Sequence, residues 1–93
     1  MSDAISYLER AQELLGERGK SYDTDSGERY MANAVAAFNA ITGGNLSEGD
    51  GWLFMQIVKD ARQWQRPGFH EDSSVDSVAY SALKTEALAR AAR

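Results

Sequence analysis

The stretch SEGDGWLFMQIVKDARQWQRPGFHEDSSVDSVAYSALK, residues 47 to 84, decides the fold: it holds two helical patterns separated by a proline–glycine break. Ser47 with Asp50 three residues on has the polar spacing that opens a helix. From there Trp52, Leu53, Phe54, Met55, Ile57, Val58, Ala61 and Trp64 leave little purely polar surface, so this helix is expected to be buried on more than one side. Pro67 followed by Gly68 stops it, because the proline ring disfavours helical geometry in the residue before it. The next helix is predicted to start at Ser73 or Ser74, where Ser73 and Asp76 stand at capping-box spacing. It turns Val75, Val78, Ala79, Ala82 and Leu83 toward the core and carries Lys84, Arg90 and Arg93 toward its C-terminal end, where the helix dipole favours cations.

Upstream, a helix is predicted from Asp25 or Ser26, with Asp25 and Glu28 at capping-box spacing, to the Gly43-Gly44 pair. Tyr30, Ala34, Ala37 and Ile41 share one face, with Met31, Val35 and Phe38 beside it, and this reads as the central packing helix. Its alanines, Ala34, Ala36, Ala37 and Ala40, permit close approach of another helix and make it a candidate subunit contact. The first helix runs from about Asp3 to Arg18 with Ser2 as N-cap and an apolar stripe of Ala4, Leu8, Ala11 and Leu15, widened by Ile5 and Leu14. Glu9, Glu13 and Glu17 form an acidic row that reads as a solvated face. Apolar and polar residues nowhere alternate at length, so no strand is needed: the expectation is an all-α, compact four-helix domain occupying residues 1–93.

Of the 40 hydrophobic residues 14 are alanine and only 17 are Leu, Ile, Val or Phe, which makes a thin core and points to an oligomer. Ten basic against fourteen acidic residues give a net charge of -4, the wrong sign for general nucleic-acid binding. With no cysteine, disulfide frameworks, zinc-thiolate sites, iron–sulfur clusters and cysteine nucleophiles are excluded, and a reducing cytosol is the default. The opening MSDAISYLER lacks the apolar run of a leader, and no stretch approaches the roughly 20 apolar residues of a membrane span. The expectation is an unprocessed soluble protein with no membrane partner.

Chemistry concentrates around the break. Lys59, Arg62 and Arg66 fall at i, i+3 and i+7, a cationic row directly before Pro67. Beyond it come His70, Glu71, Asp72, Asp76 and Tyr80, with Asp72, Asp76 and Tyr80 at four-residue steps. If the two helices pack antiparallel, the cations and acids face each other at one end. They then form either an inter-helix salt bridge with N-caps, or a pocket in which Lys59 and Arg62 bind phosphate oxygens and Asp72 and Asp76 hold a divalent metal. His70, the sole histidine, reads as a hydrogen-bonding residue at the helix start or as a general base. In RGKSYD, residues 18 to 23, Lys20 and Tyr22 read either as turn chemistry or as a loop binding a phosphate and stacking on a base. No Walker loop, GxGxxG fingerprint, HExxH helix or Ser-His-Asp elbow occurs.

RGKSYD at 18–23, KDAR at 59–62 and HEDSSVDSVAY at 70–80, in this order and spacing, resemble a family of short bacteriophage and prophage proteins of unknown function, whose pattern is RGK-x-YG, K-x-A-R and H-R-D-x-x-x-D-x-A-G-Y. The matching positions are Arg18, Gly19, Lys20, Tyr22, Lys59, Ala61, Arg62, His70, Asp72, Asp76 and Tyr80; Asp23, Glu71 and Ala79 depart from it. That family is in turn distantly similar to MazG-like all-α nucleoside triphosphate pyrophosphohydrolases, whose acidic helices hold magnesium against a triphosphate. The resemblance implies a MazG-like, oligomeric four-helix architecture in the cytoplasm of an infected bacterium. The Glu-Glu-x-x-Glu metal helix of those enzymes is missing, and Asp72 and Asp76 alone resemble their second acidic pair. The leading expectation is therefore a homo-oligomeric phage accessory protein without catalytic residues or cofactor, which binds a host factor or defence component stoichiometrically. The alternative is a Mg²⁺-dependent nucleotide-binding or pyrophosphate-releasing protein centred on Lys20, Lys59, Arg62, Asp72 and Asp76.

Overall fold

The computed structural model describes residues 2–22 and 30–92, with the backbone alone at 18–22. Among the described residues the chain is all-helical without a strand: α1 (Ala4–Tyr22), α2 (Met31–Thr42), α3 (Glu48–Trp64) and α4 (Glu71–Ala91). None of these helices is long and apolar enough to cross a membrane.

The starts and stops follow local chemistry. Ser47 is the N-cap of α3, and it forms a reciprocal capping box with Asp50: Ser47 Oγ accepts from the Asp50 N–H at 3.1 Å, and an Asp50 carboxylate oxygen accepts from the Ser47 N–H at 2.9 Å. α1 is capped by Asp3 rather than Ser2. Asp3 Oδ1 accepts from the Ser6 N–H at 2.9 Å and Ser6 Oγ from the Asp3 N–H at 3.0 Å, a pairing Ser2 is one residue too early to make. The helix does not stop at Arg18 but runs through RGKSY to Tyr22, tolerating Gly19 at the cost of about 1 kcal/mol of helix propensity. α2 ends as read: Gly43 takes the left-handed conformation at φ 74° and donates its N–H to Asn39 O at 2.8 Å. The predicted start at Asp25 or Ser26, with its Asp25–Glu28 box, lies outside the described residues. α4 begins at Glu71, with His70 as an N-cap in extended geometry that makes no side-chain cap. Ser73, predicted as the cap, is instead 1% exposed inside the helix, because its hydroxyl is taken by the His70 ring at 2.6 Å.

α4 is the central helix, with α3 antiparallel along one side and α1 on another, while α2, among the described residues, lies against the start of α3 and reaches the α4 side only through its part in the shared cluster. This corrects the expectation that α2 is the centre. An alanine-rich face buries too little area to organise a core, and only Met31 and Val35 of α2 are buried. The core has two parts joined through α4 and Leu15: Met31, Val35, Trp52, Tyr80, Leu83 and Ala87 in one, Ala11, Val75 and Ala79 in the other. In the larger part Trp52 stacks on Tyr80 at 5.6 Å between centroids and receives Tyr30 edge-on at 5.3 Å.

α3 reaches its neighbours through two glycines. A Cβ on Gly51 would collide with Met31 Sδ and stand 2.9 Å from Val35 Cγ1, so the missing side chain is what lets α2 lie against α3. A Cβ on Gly49 would crowd only Leu88, standing 2.8 Å from its Cδ2 and 3.3 Å from its Cγ, atoms of a half-exposed side chain that can swing aside, with Ser47 Oγ at an ordinary 3.7 Å. The two substitutions are therefore expected to differ in sign. Gly49→Ala gains helix propensity, up to about 1 kcal/mol, whereas Gly51→Ala loses about 1 kcal/mol net, because overpacking against a β-branched valine outweighs that gain. Urea midpoints of the two variants check it.

The expectation that α3 is buried on more than one side holds at its start, where Gly51 lies under α2 and Trp52 packs against α4, but not beyond it: Leu53, Phe54, Ile57 and Trp64 are 43%, 65%, 53% and 86% exposed. Helical phase explains this. At 3.6 residues per turn these four side chains lie about 100° to 200° round the helix from Trp52, and the twelve-residue α2 shields only the N-terminal part of that stripe.

Candidate functional site

Antiparallel packing of α3 and α4 brings polar side chains together at steps of three or four residues along α3. Lys84 Nζ donates to Gln56 Oε1 at 3.0 Å, Lys59 Nζ pairs with Asp76 Oδ2 at 3.0 Å, and Ser77 Oγ donates to Asp60 Oδ1 at 2.6 Å. At the turn, Gln63 closes the connection. Its Oε1 accepts from the His70 N–H at 2.7 Å and from Ser74 Oγ at 2.9 Å, and its Nε2 donates to Gly68 O at 2.7 Å. Sequence reading passed over Gln63, although a glutamine four residues before Pro67 is well placed to bond the backbone that the proline turn leaves without helical partners.

The predicted charged residues separate into three places. Lys59 and Asp76 close on each other, with side chains 14% and 12% exposed, which is the inter-helix salt bridge of the two readings. Arg62 and Arg66 stay outside that pair. With Gln65 and His70 they line an open cleft of about 370 Å³ beside the turn, and among the described residues neither arginine has an ion-pair partner. Asp72 is exposed and, with Arg10, Leu14, Glu71, Val75 and Asp76, lines a different cleft of about 280 Å³ between α1 and α4. Arg10, which sequence reading did not single out, reaches Glu71 at 3.7 Å there, an exposed contact of little energetic weight.

His70 engages Ser73 through Nδ1 at the start of α4, the hydrogen-bonding role of its two readings. Tyr80 is 5% exposed and stacked in the core on Trp52, so the structure places it in the packing rather than in either cleft. The side chains of Lys20 and Tyr22 lie outside the described residues, and the backbone there is helix, not a phosphate-cradling loop. Among the described residues no three His, Asp or Glu side chains converge to hold a metal ion. Of Asp72 and Asp76, the second is already held by Lys59, so a cation there would have to compete with an ammonium 3.0 Å away.

Outside the charged seam, the larger opening is apolar. A groove of about 490 Å³ runs between α2 and α3, lined by residues that include Tyr30, Ala34, Phe38, Leu46, Leu53, Phe54 and Ile57, with Asp50 the lone charge among them. Comparison with protein-family models, with curated proteins and with solved structures finds no match for this chain.

Proposed function

We propose that this chain is a small all-α phage-type accessory protein that acts in the bacterial cytoplasm by stoichiometric binding, as a homo-oligomer, to a host factor or defence component. The observation that carries this is the fate of the charged set. Lys59 and Asp76, the pair a phosphate and metal pocket would need free, are engaged with each other across the seam, while Arg62 and Arg66, at its open end, have no ion-pair partner among the described residues. Two unpaired guanidiniums beside a rigid turn are suited to a partner's carboxylates, which they grip in bidentate fashion. On a chain of net charge -4 they also give a partner a local point of attraction.

The test compares the chain with its Arg62→Glu/Arg66→Glu variant. Both residues are exposed, so the double variant is expected to fold with stability within about 0.5 kcal/mol of the parent. A protein retained from host lysate by the parent, and bound by it again after purification, should bind the variant at least tenfold more weakly. Equal retention by both contradicts the assignment of the cleft, and retention of nothing by the folded parent contradicts the binding function.

A second reading rests on the same cleft: Arg62, Arg66 and His70 side by side also suit a nucleotide's phosphates, as a MazG-like nucleotide-binding protein would require. It predicts a concentration-dependent rise in melting temperature with one of the common nucleoside or deoxynucleoside triphosphates and Mg²⁺, with or without pyrophosphate release. No stabilisation and no turnover removes it.

A further inference from the structure

We propose that the α2–α3 face is covered by a second copy of this chain, in an isologous pair whose two α2–α3 hairpins lie face to face; the proposal deepens the homo-oligomeric reading above by naming the surface.

Six residues lining the α2–α3 groove, Tyr30, Phe38, Leu46, Leu53, Phe54 and Ile57, are each 38% to 65% exposed in the single chain. At roughly 200 Å² for a fully exposed side chain of this size, they present on the order of 600 Å² of apolar surface. Trp64 lies at the phase of Ile57 two turns further along α3 and is 86% exposed, which brings the stripe to about 800 Å². That exceeds the roughly 300–600 Å² of the largest apolar patch on a typical monomer and equals what one partner contributes to a standard stable interface.

Charge selects a second copy over an unrelated partner. The chain carries a net charge of -4, so two copies repel unless they meet through a face with almost no charge. The groove meets that condition, since its one ionised residue, Asp50, has its carboxylate turned to the Ser47 N–H in the α3 cap, and Asp60, at the edge of the stripe toward Trp64, is turned to Ser77 on the α4 side. A face so poor in charge gives a charged foreign partner nothing to pair with, but it is complementary to itself about a two-fold axis. The pairing also supplies what α2 lacks. A twelve-residue helix with only Met31 and Val35 buried is too short to be stable by propensity, and a facing hairpin would cover its exposed side.

Sedimentation equilibrium of the full chain at about 100 μM tests this, beside Phe54→Asp and Leu8→Asp, the latter placing the same change on an exposed apolar residue of α1 outside the face. The parent and Leu8→Asp are expected at twice the 10.2 kDa of one chain, and Phe54→Asp at the single-chain mass. Because Phe54→Asp could fail to fold, a second readout uses the absence of cysteine: Phe54→Cys should join to its twin through a short bifunctional maleimide, and Glu9→Cys, on the solvated face of α1, should not. A monomeric parent overturns the proposal, whether residues 23–29 of the same chain or another protein then covers the face. So does a dimer that persists in Phe54→Asp and cross-links at position 9 in preference to 54. A monomer whose arginine cleft still captures its partner refutes this pairing and the oligomeric part of the proposed function while leaving the binding part standing; a dimer that captures nothing does the reverse.

Discussion

Trp52→Ala is expected to abolish cooperative folding at 25 °C. The indole is 2% exposed, stacks on Tyr80, receives Tyr30 edge-on, and sits where α2, α3 and α4 meet. Truncating a buried tryptophan to alanine costs about 3–5 kcal/mol in transfer free energy and residual cavity. A domain of this size holds about 5–14 kcal/mol in total, and one whose apolar residues are one-third alanine belongs at the low end. The loss is therefore comparable to the whole. Far-UV circular dichroism should show the helical signal reduced and the urea transition broadened or gone. A cooperative transition within about 1 kcal/mol of the parent would mean that the aromatic stack is not the centre of the core.

The second large effect distinguishes a brace from a binding site. Lys59→Met removes an ammonium from beside a carboxylate that has little access to water. Breaking a buried pair from one side costs about 3–5 kcal/mol, and the residual exposure of this pair brings the expectation to about 2–3 kcal/mol. The double change Lys59→Met/Asp76→Leu should recover much of that loss, since apolar residues of similar volume replace such pairs at little cost. Residues kept for a ligand behave in the opposite way: removing them commonly leaves stability unchanged or raises it, because a functional site is held at the expense of the fold. A melting temperature unaffected by Lys59→Met would restore the phosphate-pocket reading of 59 and 76.

The sequence made the helices legible wherever local chemistry alone determines them. The Ser47–Asp50 box, the stop at Pro67 and the Gly43 cap depend on residues within one turn of each other, and all three stand as read. The start of α4 was misplaced because Ser73 has a capping residue's chemistry, but the fold spends its hydroxyl on His70. Which helix occupies the centre was not legible, because apolar periodicity gives each helix a face without saying how much area that face buries. α2 has the higher apolar fraction, yet α4, with Val75, Ala79, Tyr80, Leu83 and Ala87 buried, is the one the others pack on.

The charged site was half legible for a related reason. The expectation of antiparallel packing brought Lys59 and Asp76 together correctly, since it concerns one contact between adjacent helices. It did not carry over to Arg62 and Arg66, which line a cleft beside the turn, whereas Asp72 shares the α1–α4 cleft with Asp76, as their four-residue step implies. Gln63 and Gly51 were missed for want of any charge or motif: one acts through three hydrogen bonds, the other through the side chain it lacks.

The thin core and the uncovered α2–α3 face are two views of one claim, that this chain completes its packing only against a partner copy. The urea midpoint measured across a hundredfold range of protein concentration tests it most directly. If unfolding separates two chains, that range is worth about 2.7 kcal/mol of apparent stability, and the midpoint should rise by about 1 M with concentration. A midpoint that stays fixed across the range would show a chain that is stable alone and would contradict the account.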